Sequence, residues 1–154
     1  VLATLTASLA ACAGDATLLH IQQDTYLVLS ALHGLLPGLT ALPVSTVPPA
    51  SLASIRLNVQ ESAIFGGDIA SAQSTAQAVT PVGLMVASIS QVLQEAAPLQ
   101  LPPDMRSVFA AVGTLLPVIQ AQTGINAPPV SAAAASYTPD QARFILQRSV
   151  QLHG

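Results

Sequence analysis

Apolar residues recur along most of the chain at three- and four-residue intervals, the spacing that lines one side of an α-helix, and prolines fall between the runs. Ile21, Thr25, Val28, Leu32, Leu35 and Leu39 keep this spacing. They predict a first helix from about Asp15 to Leu36, with Asp15 as N-cap and Pro37-Gly38 as the stop. Residues 43–50, PVSTVPPA, read as a linker. A second helical stretch follows from Pro49, a proline suited to the first helical position, through Leu52, Ile55, Val59 and Ala63 toward Val79. Within it Gly66-Gly67 reads as a break or as a point of close helix approach.

Thr80-Pro81 predicts the start of a third helix, Thr as N-cap and Pro in the first turn. Val82, Met85, Val86, Ile89, Val92 and Leu93 fall on one face, with Ser88, Ser90, Gln91, Gln94 and Glu95 largely away from it, and Pro98 closes the run. A fourth helix is expected from about Pro103 to Gln122. Val108, Val112, Leu115 and Leu116 form its buried face, and Pro117 is expected to kink or end it. Gly124 opens a loose segment, and Thr138-Pro139-Asp140-Gln141 then has the pattern of a capping box. The last helix continues through Phe144, Ile145 and Leu152. Strand patterns are scarce, so the expected fold is all-α: a small antiparallel bundle of four or five helices with proline-rich joints.

Composition narrows what such a bundle does. Only 7% of the 154 residues are charged, 51% are hydrophobic and 3% aromatic, with a formal net charge of −3. An average soluble domain carries roughly 25% charged residues. The cations are Arg56, Arg106, Arg143 and Arg148, with no lysine. Four scattered arginines cannot neutralise a phosphate backbone, and there is no aromatic platform for bases, so a nucleic-acid partner is excluded. Alanine makes up about a sixth of the chain, and the polar balance comes from Gln, Ser and Thr. Disorder does not fit a low-charge, apolar-rich chain.

The first twelve residues, VLATLTASLAAC, are uncharged, apolar and rich in small residues, and they end at the only cysteine, Cys12. The run Leu9-Ala10-Ala11-Cys12 resembles the lipobox at the end of a bacterial lipoprotein signal. That resemblance implies cleavage between Ala11 and Cys12, a diacylglyceryl thioether on Cys12 and acylation of the new amino group. Residues 1–11 are then a signal-peptide remnant, and 12–154 a single helical domain behind a short lipidated lead. Because the chain begins at Val1 with no cation before Arg56, this reading also implies a start lying further upstream. Ala13 in place of an Asp directly after the cysteine implies, by the same resemblance, the periplasmic side of the outer membrane in a Gram-negative host. One acyl chain binds a bilayer marginally, whereas two or three hold a protein there.

Sites for chemistry are sparse. The nucleophile elbow G-x-S-x-G and a phosphate-cradling glycine loop are both absent from the sequence. His20 and Asp24, four residues apart, share a helix face and read as a surface pair; as metal ligands they would need a third partner from His33, His153, Asp68 or Glu95. His33, among Leu, Ala and Gly, reads as a neutral core or interface side chain, and His153 as part of a frayed end. Asp68 is expected to cap a helix resumed after the glycines, Asp104 and Asp140 to sit in helix first turns, and Glu61 and Glu95 to be solvated. Arg143 and Arg148 are expected to face lipid headgroups or acidic neighbours.

The sequence therefore predicts no catalytic residue, metal or cofactor. The function expected is that of a non-enzymatic envelope lipoprotein, anchored to membrane lipid through Cys12 and binding another protein or itself. Two alternatives accompany it. One is a membrane-active lysis or remodelling protein whose helices enter the bilayer, for which residues 26–47 are an uncharged stretch long enough to span. The other is a carrier of an apolar ligand in the bundle core.

Overall fold

A computed structural model describes residues 2–124 and 137–153, with side chains over 16–124 and 137–152. Within the described residues are five helices: α1 (Leu2–Ala41), α2 (Pro49–Ser71), α3 (Thr75–Ala96), α4 (Pro103–Gln122) and α5 (Pro139–His153). Proline starts three of them, α2, α4 and α5. Pro48 and Pro102 hold extended backbone (ψ 147 and 150), and Pro49 and Pro103 open α2 and α4, where an N–H would have had no intrahelical acceptor. The capping box at α5 forms as the sequence implies: Gln141 N–H donates to Thr138 Oγ1 (3.2 Å), and Thr138 N–H donates to Gln141 Oε1 (2.9 Å). Residues 125–136, most of the expected loose segment, lie outside the described residues.

Several predicted boundaries move. α1 runs through Asp15, so that residue is not an N-cap, and it passes Pro37-Gly38 before ending at Ala41. Pro37 and His33 are both exposed, so the carbonyl that the missing Pro37 N–H leaves unpaired lies on the water side of the helix. α2 continues unbroken through Gly66-Gly67, and Asp68 is an exposed mid-helix residue, not a cap. The break comes instead at Ala72, which is extended (ψ 139), and α3 starts at Thr75, not Thr80. Ser74 is its N-cap and accepts from Gln77 N–H at 3.2 Å, while Gln77 Oε1 accepts from Gln73 N–H at 2.8 Å. The earlier start buries Ala78 completely. Pro117 neither ends nor replaces the last turns of α4. Leu115, Leu116 and Ile119 around it are wholly buried, and such side chains stabilise by roughly 1.5–3 kcal/mol each, enough to offset a helical proline's cost of about 3 kcal/mol.

The helices alternate in direction. α2 returns along α1, tied at one end by Arg56 Nη2 donating to Thr40 Oγ1 (2.6 Å). At the other end Gln22 Nε2 reaches the last carbonyls of the helix, Ile69 (3.1 Å) and Ala70 (3.3 Å), and that of Ala72 beyond it (3.3 Å). Between these ties Gly66 lies against Leu29 so closely that a β-carbon there would run into Leu29 Cδ1. α3 pairs with α2, α4 with α5, and α1 packs against all four other helices. At the start of α4, Met105 Cε fills the space a Gly38 side chain would need, 2.6 Å from its Cβ position.

The core is aliphatic. Ile21, Leu32, Leu39, Ile55, Ile69, Met85, Ile89, Leu115, Leu116, Ile119 and Leu146 are its largest wholly buried side chains, and Val47 and Leu101 pin two of the joints to it. Ser88, expected away from the core, is buried at the seam; Phe144 and Leu152 of α5 face water. The stretch 26–47 supplies Val28, Ala31, Leu32, Leu35, Leu39 and Val47 to this core. Among the described residues one helix, Thr75–Ala96, is long and apolar enough to cross a membrane, with a hydropathy of 1.4, and its Val82, Met85, Val86, Ile89 and Val92 are buried in the bundle.

Candidate ligand groove on the first helix

The backbones of α2 and α5 flank α1 without meeting, which leaves part of the α1 surface as the floor of an open groove. The floor follows from helical spacing: Tyr26 and His33, seven residues apart, lie opposite the buried stripe Ile21, Val28 and Leu35. The groove has two lobes. One, of about 830 Å³, is lined by His20, Gln23 and Asp24 from α1, Gln122 from α4, and Arg143 and Gln147 from α5. The other, of about 420 Å³, is more apolar, with Leu29, His33, Val59 and Ala63 in its wall. Tyr26 and Val150 border both.

Asp24 is the fixed point of the larger lobe. It sits on the apolar stripe between Ile21 and Val28 and is 5% exposed, so its charge must be met inside the protein. Arg143 meets it with a two-pronged pair, Nε to Oδ1 at 2.9 Å and Nη2 to Oδ2 at 3.0 Å. A third arm, Nη1, reaches the exposed Asp140 at 3.0 Å. The hydrogen bond that Arg143 donates to Asp24 holds the guanidinium pKa above its ordinary value, against the opposing effect of burial. Nearby, Gln122 Oε1 is buried without a hydrogen-bond partner; Thr25 Oγ1 and Ser149 Oγ share that condition.

The expected site residues fare differently. His20 and Asp24 do border one lobe, yet they are not a surface pair, because Asp24 is buried and committed to Arg143. His33 is exposed in the groove wall and not a core residue, since it falls seven residues beyond Tyr26 on the outward face. Asp68, Glu61 and Arg148 are exposed and Glu95 is half-buried. Among the described residues no three His, Cys, Asp or Glu side chains come together to hold a metal. The side chains of Cys12 and His153 lie outside the described residues.

The Asp24–Arg143 link spans 119 residues and was missed from sequence. The signal was present on one side only: a carboxylate at Asp24, between Ile21 and Val28 on a stripe of buried residues, requires a cation. Which of four arginines supplies it depends on packing that helical spacing does not encode. Comparison with family models, with curated proteins and with solved structures gives no match to this chain.

Proposed function

We propose that this chain is a non-enzymatic envelope lipoprotein, held at a membrane through Cys12 and presenting a helical bundle that binds a partner. The observation that carries the reading is the run Leu9-Ala10-Ala11-Cys12, which lies in the N-terminal part of α1. Two or three acyl chains on one residue give stable attachment at roughly 0.8 kcal/mol per buried methylene. A charge content of 7% suits a protein that is kept apart by its anchor more than by mutual repulsion.

The test is metabolic labelling with palmitate in a bacterium, with the chain expressed behind an initiating Met and a short basic segment. The wild type takes up label and Cys12→Ser does not; equal labelling of the two sinks the reading. The apolar character of α3 favours a second reading, a bilayer-inserted protein. Carbonate extraction of Cys12→Ser separates them, since a bundle held only by its lipid is released and a spanning helix stays in the pellet.

A further inference from the structure

We infer that the larger lobe of the α1 groove is a binding site for a neutral, hydroxyl-rich ligand of the oligosaccharide class. This goes beyond the anchored-module reading and does not depend on Cys12. Its volume of about 830 Å³ falls within the roughly 300–1,000 Å³ of small-molecule sites. Four glutamines from three helices converge there: Gln23, Gln122, Gln147 and Gln151. Each amide offers both donors and an acceptor, which matches hydroxyl groups that themselves donate and accept. Tyr26, 70% exposed, adds a flat apolar ring with a polar tip, suited to the C–H face of a sugar ring.

Charge decides against other ligand classes. Arg143 is the lobe's one arginine, and Asp24, its one carboxylate, balances it. An anion finds the guanidinium already engaged by Asp24 and by the exposed Asp140. A cation finds both Asp24 oxygens already taken by Arg143. Gln122 supplies the sharpest indication, because its buried Oε1 has no hydrogen-bond partner and lies in the wall of the lobe. An acceptor kept in that state costs stability, and a turn of the half-buried Gln122 side chain toward the lobe would let a ligand hydroxyl satisfy it.

The experiment is NMR titration of the full chain with cellotetraose and chitotetraose, with a heparin tetrasaccharide as the anionic probe. A neutral tetrasaccharide is expected to move the side-chain amides of Gln23, Gln122, Gln147 and Gln151 while leaving those of Gln60 and Gln73 in place. Tyr26→Ala and Gln147→Ala, both at exposed positions, weaken that binding about tenfold, the effect of one lost contact. Gln122→Leu abolishes it while leaving the melting temperature unchanged or higher, because the orphaned oxygen is gone. The inference is overturned if neither neutral probe moves these amides at millimolar concentration or if the anionic probe binds more tightly. Undiminished binding by the three variants, or destabilisation by Gln122→Leu, overturns it equally.

Discussion

A carboxylate on the apolar stripe of a helix carries a large desolvation cost unless a cation reaches it, and at Asp24 the cation comes from the far end of the chain. The pair is only partly shielded, with the Arg143 side chain 31% exposed, so Asp24→Ala is expected to cost about 2 kcal/mol, below the value for a fully buried pair. Urea unfolding measures it as a lowered midpoint. Asp140→Ala, which removes an exposed partner, leaves that midpoint nearly unchanged. The pH dependence has a definite sign. Because the folded-state pKa of Arg143 is raised above the ordinary guanidinium value, its contribution is complete throughout the neutral and moderately alkaline range and is lost only as pH rises through that raised pKa. Arg143→Lys keeps the charge but not the two-pronged geometry, and its remaining contribution fades above about pH 10. Stability measured from pH 7 to 11 should therefore stay level for the wild type with respect to this pair and fall at the alkaline end for the variant.

At the level of single elements the two adjacent glycines of α2 separate propensity from packing. Gly67 has open space around its missing β-carbon, so Gly67→Ala is expected to stabilise by about 1 kcal/mol through helix propensity alone. Gly66 faces Leu29 and Thr25 of α1, and Gly66→Leu is expected to destabilise by about 1–3 kcal/mol through overpacking. Thermal unfolding of the two variants should move in opposite directions. Helix existence was legible in the sequence because the stripes such as Val82, Met85, Val86 and Ile89 are long and regular, and the Thr138–Gln141 cap because its two hydrogen bonds are local. Internal prolines hid the boundaries. Thr80-Pro81 has the form of a helix start, yet Ser74 with Gln77 starts α3 six residues earlier and the helix carries Pro81 inside it.

The whole molecule is a bundle in which α1 touches every other helix and keeps one strip of its surface uncovered between α2 and α5. That strip was not legible as a site. The spacing of Tyr26 and His33 places them on one face, but only the walls supplied by α2, α4 and α5, far apart in sequence, make that face a groove. The surplus of apolar residues resolves into an aliphatic core, a large share of alanine and the uncharged run that precedes Cys12. Membrane attachment is the claim on which the proposed role rests, and the mass of the N-terminal peptide from membrane-extracted protein tests it most directly. A peptide starting at Cys12 and carrying a diacylglyceryl thioether is the predicted result; a peptide that continues upstream through Ala11 with an unmodified Cys12 would contradict it.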